Sequence, residues 1–218
     1  MYPDIINNFG DEKDILKQLT DSYLYKDILS YGGIRKPELL EKLLRALAFQ
    51  IGSEISYNEL SQLLAIGKKT VSNYIDLLCQ AYVIFKLPSF SKNLRNEIKT
   101  NQKIYFYDTG VRNMIIGNLN PLTVRQDKGN LWENFLIAER LKRNAYGSSL
   151  AEGYFWRTVQ QQEIDYVEEE AGNVTGFEIK WNLKSKVKIS KTFVKTYNAE
   201  VHVITNESFR ELLKNNKL

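Results

Sequence analysis

Cysteine and histidine are nearly missing from this 218-residue chain: Cys79 and His202 each stand alone. One cysteine excludes an internal disulfide framework and fits a reducing, cytoplasmic setting. Cys79 falls in a helix-like run, where a small buried residue is its plain reading. One histidine beside one cysteine is too little for a structural zinc site or a Ser/His triad. Any catalysis has to run on carboxylates and amines. No apolar run reaches the ~18 residues of a membrane span, so no membrane partner is expected. No charged-then-apolar leader is visible, and no secretory signal is expected. The chain also lacks internal repeats and low-complexity segments.

What is present is a core-forming chain with uneven charge. Hydrophobic residues make up 43% and the formal net charge is +4. Residues 1–85 carry 9 Lys/Arg against 11 Asp/Glu, while residues 86–218 carry 21 against 15. The second half is therefore the basic one. Arg95, Lys99 and Lys103 add to it, and Lys184, Lys186, Lys188 and Lys191 follow one another with no acid among them. Such a ribbon suits a polyanion; it is equally the composition of a solvated loop.

Periodicity divides the chain near residues 86–100, into 1–90 and 91–218. Helical spacing appears at 11–19 and 23–29, and again from Pro37, where Leu39, Leu40, Leu43, Leu44, Leu47 and Ala48 form an apolar stripe. Ser56 with Glu59 three residues on predicts a capping box and a short helix to Leu64. Ala65-Ile66-Gly67 is a turn, and Lys68 opens another helix. Helix, glycine-containing turn, basic helix and then the strand-like run 83–87 predict a winged helix-turn-helix. In such a unit Lys68, Lys69, Thr70, Ser72 and Asn73 would meet DNA, the lysines and hydroxyls at phosphates and Asn73 at a base edge. Many winged helices make only protein contacts. Gly67-Lys68-Lys69-Thr70 ends like a P-loop, but Gln62 stands where its first glycine belongs and no strand precedes it.

The second half alternates strand and helix signals. Strands are predicted at 103–108, 153–158, 163–167, 174–181 and 200–205, and helices at 132–142 and 208–214. Residues 114–131 read as a loop-rich connection, and 168–173 as a polar hairpin turn with Glu168, Glu169 and Glu170 in solvent. Asp165 lies on one predicted strand and Glu178 and Lys180 on the next, sharing a face because strand side chains alternate. Phe177, Ile179 and Trp181 take the opposite, apolar face. Two acids and a lysine on neighbouring strands are the parts of a Mg²⁺-dependent phosphodiesterase. Carboxylates hold a hard cation, Mg²⁺ or Mn²⁺ in its place, and the amine steers water or the leaving phosphate. Glu133 falls on the apolar face of its helix with Leu136, Ile137 and Arg140. A carboxylate there is either a ligand of a metal or its water, or an acid favoured by the helix dipole. Glu163 either supports Asp165 or faces solvent.

Five stretches together resemble a known family: 103–110, 125–134, 154–158, 163–167 and 177–181. In this order they look like the C-terminal region of a prokaryotic family of AAA-type P-loop ATPases. The resemblance covers nearly the whole chain. It implies a winged helix followed by a domain of unknown function similar to PD-(D/E)xK nucleases, an α+β architecture with a mixed sheet flanked by helices. This chain has no Walker A motif, so the resemblance implies either an ATPase domain elsewhere in a full-length protein or a natural short form without ATP-driven function. Carried over, Glu133 matches the helical acid, Asp165 the first strand acid, and Glu178 with Lys180 the ExK motif. Asp165 and Glu178 would bind Mg²⁺ with help from the Ile179 carbonyl and Glu133, and Lys180 would position or deprotonate the water. Arg125, Asp127 and Arg157 match family positions without a role, and are expected to pair with one another. Gln160-Gln161-Gln162 would be a substrate-side loop.

Three functions remain open on sequence: a Mg²⁺-dependent DNA endonuclease, a DNA-binding module with an inactive nuclease fold, and a partner-binding domain serving an ATPase.

Overall fold

The computed structural model describes residues 8, 10–21, 36–91, 101–147, 149–182 and 187–214. The expected helix at 23–29, and Arg95, Lys99, Lys184 and Lys186, lie outside them. Helices and two sheets build an α+β protein. The chain divides into two compact units, one of residues 1–85 with 104–125, the other of 86–103 with 126–218. A single boundary near 86–100 is expected from periodicity; the chain crosses between units at three points.

The first unit is mainly helical. Helix α1 (Glu12–Leu19) precedes α2 (Pro37–Phe49), whose first-turn proline has no N–H to leave unbonded. Leu40, Leu43, Leu44, Leu47 and Ala48 of α2 are buried, the stripe that period 3.6 demands. Helix α3 (Tyr57–Leu64) is capped by Ser56, whose side chain accepts from the Glu59 N–H at 3.2 Å. The Glu59 carboxylate accepts from Gln50. Ala65 takes a left-handed conformation, and α4 (Lys68–Gln80) follows the turn. Val71, Ile75 and Leu78 are its buried face. Strands β1 (Ile84–Pro88) and β2 (Gln102–Phe106) pair in a two-stranded sheet.

Helix α5 (Thr109–Ile116) occupies part of the stretch read as a loop. Asp108 caps it, accepting from the Val111 N–H at 3.0 Å, and Gly117 at φ 69° ends it. Buried Arg112 donates to the Ala48 carbonyl at 2.7 Å and ties α5 to the end of α2. Arg125 donates to the Asn118 carbonyl and the Asn113 side chain.

The second unit is built on α6 (Lys128–Tyr146) and a four-stranded sheet. Strands β3 (Glu152–Arg157), β4 (Glu163–Glu170) and β5 (Asn173–Ile179) form an antiparallel meander. Ala171 and Gly172, both at positive φ, make the tight β4–β5 turn. Helix α7 (Lys191–Tyr197) then crosses to β6 (Glu200–Ile204), which runs parallel to β5, as a crossover requires. Short α8 (Phe209–Leu213) closes the fold. Helix α7 forms where sequence offered only a basic ribbon. Ser190 caps it and Phe193 anchors it in a core of Trp156, Ile164, Val167, Val174, Ala199 and Phe90. Gly176 is needed here: a Cβ would come 3.0 Å from the Phe193 ring and 3.2 Å from Ile164 and Val201.

The expected solvated triplet Glu168-Glu169-Glu170 is corrected at its first member. Strand β4 runs on to Glu170, so Glu168 lies inside the sheet and is buried. Arg140 grips it with two hydrogen bonds, of 2.7 and 2.5 Å, and Asn144 and the Tyr166 hydroxyl also donate to it.

Candidate active site

A β-bulge sets the site. Tyr154 pairs with Val167 and Trp156 with Ile164, so Phe155 alone on β3 faces both Asp165 and Tyr166 on β4. Bulges interrupt strand alternation and re-aim side chains. Here the re-aimed residue is the predicted strand acid. On the other side, Tyr166 pairs with Phe177, and one further step in that register brings Asp165 opposite Glu178.

The sequence-predicted trio meets. Lys180 Nζ lies 2.8 Å from Asp165 Oδ2 and 3.0 Å from Glu178 Oε2. The Ile179 N–H donates to the same Asp165 oxygen at 2.8 Å, so residue 179 contributes at least its amide. Burial first, and then the Asp165 charge, push the Glu178 carboxyl up to about 7. Burial opposes the Lys180 charge, but Asp165 and Glu178 outweigh it and raise its pKa. One ammonium therefore serves two carboxylates, and does not fully compensate the more buried of them.

Glu133 sits elsewhere in the cluster. On the first turns of α6, its Oε1 is 3.6 Å from Lys103 Nζ. Lys103 Nζ is also 2.5 Å from Glu163 Oε1, and Arg157 Nε lies 3.9 Å from the other Glu163 oxygen. Glu163 is half-buried, and its ion pairs are with Lys103 and Arg157. Among the described residues no group of three or more His, Cys, Asp or Glu side chains is gathered to hold a metal.

Lys103 is the residue of this cluster that the sequence pattern did not single out, having been counted only as added positive charge. It is 4% exposed. Its signal was available: it opens the apolar run Ile104-Tyr105-Phe106, all fully buried. A lysine at the head of such a run needs an anion.

Around this centre, Arg157 also binds Gln161, and Gln162 accepts from Ser190 at 2.7 Å. The glutamine loop thus holds a tight turn beside α7, with Gln161 at φ 63°. Trp181, Trp132, Phe135 and Phe209 form a ring cluster, with Lys128 Nζ 5.4 Å from the Trp181 centroid. Lys188 is exposed. In the first unit, Lys68, Lys69 and Asn73 are exposed and Thr70 and Ser72 half-buried. No helix among the described residues is long and apolar enough to cross a membrane.

The fold and site therefore define an α+β protein with a carboxylate–lysine centre on a bulged sheet. The chain belongs to the family described as domain of unknown function DUF8612, matched over residues 1–122; residues 128–217 match a second, domain of unknown function DUF4143. It is similar to an uncharacterized protein of Mycobacterium tuberculosis, 29% identical over 161 residues, 73% of this chain and 36% of that protein. An uncharacterized protein of Haemophilus influenzae is 26% identical over 181 residues, 79% of this chain and 42% of that protein. One of Methanocaldococcus jannaschii is 27% identical over 173 residues, 76% and 36% of the respective chains. The chain thus spans well under half the length of these relatives. No solved structure matches it.

Proposed function

We propose that this chain is the nucleic-acid-acting part of a larger protein and carries a Mg²⁺-dependent phosphodiesterase site for DNA, with an AAA-type ATPase domain elsewhere in the full-length protein. The observation that carries the reading is the sharing of the Lys180 ammonium by Asp165 and Glu178. The greater length of the relatives is compatible with a further domain.

The donor set fits a hard cation. Mg²⁺ is commonly held by one or two carboxylates, with water and phosphate oxygens filling the other positions. Asp165 and Glu178 would hold it, and when bound it would supply positive charge at a phosphate oxygen. The Ile179 N–H keeps Asp165 oriented. Glu178 would hold the cation as its carboxylate, so binding would release the proton that burial and Asp165 favour on it. Lys180, 40% exposed on a flexible stem, would be free to turn from the carboxylates toward a phosphate. There its ammonium would donate to a phosphate or leaving oxygen, or position the attacking water.

Calorimetric titration of Mn²⁺ into wild type and Asp165→Asn, followed by incubation with supercoiled plasmid, tests this reading. Wild type should bind metal and nick the plasmid. Asp165→Asn should lose nicking by at least about 100-fold, the scale of removing one preorganised electrostatic contact. Absence of metal uptake and nicking in wild type would sink the proposal.

A second reading rests on α4, where Lys68, Lys69 and Asn73 are exposed while Val71, Ile75 and Leu78 are buried. It makes this helix a DNA-contacting element independent of catalysis. Lys68→Glu with Lys69→Glu should weaken duplex binding and flatten its salt dependence, while Glu178→Ala leaves binding in place. Unchanged affinity in the double variant would discard this reading.

A further inference from the structure

Lys103 has an unusual set of neighbours. Its ammonium is almost wholly enclosed, 2.5 Å from Glu163 and 3.6 Å from Glu133. It lies 5.2 Å from the centroid of Phe155, the residue that faces the β4 bulge. Burial works against its charge, but Glu133 and Glu163, and then Asp165, outweigh that and raise its pKa. An ammonium taken out of water is costly unless it is well paired. An apolar side chain would continue the buried run Ile104-Tyr105-Phe106 without that cost. The lysine is therefore explained by the acids around it and not by packing.

Two carboxylates from different elements, α6 and β4, converging on one buried positive centre is also how proteins arrange oxygen ligands for a hard cation. We propose that the Lys103 ammonium is a built-in cation: it fills, between Glu133 and Glu163, a position that a divalent ion would otherwise take, and so keeps Glu133 out of the Asp165–Glu178 site. An ammonium differs from a metal ion in that place in two ways. It cannot be removed by a chelator, and it offers no open coordination position to water or phosphate. The cluster thereby keeps one exchangeable cation site beside one fixed charge. Lys103 is a positioning residue, acting through the acids it holds. That consequence rests on Asp165 and Glu178 being the cation-binding pair; the test does not.

The experiment is a count of bound Mn²⁺ per chain, read from the electron paramagnetic resonance of free Mn²⁺, for wild type, Lys103→Met and Glu133→Gln. Lys103→Met removes the ammonium from between the two acids and should take up one Mn²⁺ more than wild type. Glu133→Gln should match wild type, because its carboxylate serves Lys103. A folded Lys103→Met with the wild-type count overturns the proposal, as does a Glu133→Gln protein that loses the wild-type ion. Where Lys103→Met does not fold unaided, millimolar Mn²⁺ should restore its circular dichroism, and failure to do so also overturns it. Wild type binding no ion while Lys103→Met binds one would sink the Asp165–Glu178 reading and leave the assignment of Lys103 standing.

Discussion

Glu178→Gln should raise stability at pH 8 and abolish the hold on a divalent cation. The folded protein keeps the Glu178 proton up to about 7, whereas the unfolded chain loses it near the ordinary glutamate value of 4.5. Between those values the folded state binds more protons than the unfolded one. Stability therefore falls as pH rises through that window, and the full penalty is present at pH 8. A shift of this size corresponds to about 3 kcal/mol. Burial and the neighbouring Asp165 charge produce it, and Lys180 only partly offsets it. Glutamine keeps the shape and removes the charge, while Lys180 keeps Asp165. Urea midpoints measured from pH 5 to pH 8 should fall for wild type and stay level for Glu178→Gln. Equal slopes would show that the carboxylate is ionised without strain. The same energetics give wild type a second signature: Mn²⁺ binding near pH 6.5 should release a proton, visible as a dependence of binding heat on the buffer's ionisation enthalpy.

The largest loss of stability should come from Glu168→Ala, on the order of 3–5 kcal/mol. That is the scale of leaving one member of a buried ion pair without its partner. Arg140 would lose both of its bonds to Glu168, keeping its contact with the Leu212 carbonyl. Asn144 and Tyr166 would each lose a hydrogen bond as well. Burial alone would raise the Glu168 pKa, but Arg140, with Asn144 and Tyr166, holds it below the ordinary glutamate value of 4.5. A depressed carboxylate stabilises above its unfolded pKa, and that contribution fades as pH falls through the lower folded value. Wild type should therefore lose stability below about pH 4.5, and Glu168→Ala should lose less of what remains. Replacing both partners, Arg140→Met with Glu168→Leu, should recover much of the loss, because matched apolar side chains can substitute for a buried pair. Urea denaturation of the three proteins decides this; a double variant as unstable as Glu168→Ala would mean that the network does more than cancel charge.

The elements with strong apolar periodicity were legible in the sequence. Leu40 to Ala48 gave α2, Ser56 placed the start of α3, and the runs around 163–167, 174–181 and 200–205 gave β4, β5 and β6. Two short helices were not. Helix α5 depends on the Asp108 cap more than on an apolar stripe, and α7 has Phe193 as its buried residue. A cap followed by so short a helix looks like a loop until tertiary packing is known. The carboxylate–lysine trio was legible because Glu178 and Lys180 are two residues apart and Asp165 lies just across a hairpin. What holds it was not. The bulge at Asp165 breaks the alternation on which strand reading rests, and the ion pairs of Lys103 join residues 30 to 60 positions apart, beyond any local pattern. Glu168 was misread for a related reason: three acids in a row look like a turn unless Arg140, on a helix 28 residues away, is known to reach the first of them.

The path of the chain between its two units bears on how such a protein can be inherited. The stretch matching DUF4143 begins at residue 128, yet the compact unit that holds the acids also includes residues 86–103, which lie within the DUF8612 match. Lys103 is thus encoded in one matched region while Glu133 and Glu163 are encoded in the other. A gene fusion or exchange joined near residue 125 would pass on the acids without their lysine, and the recipient would have to supply a cation in its place. In this chain the ion pairs of Lys103 with Glu133 and Glu163 thus join two regions that each match as a module of its own.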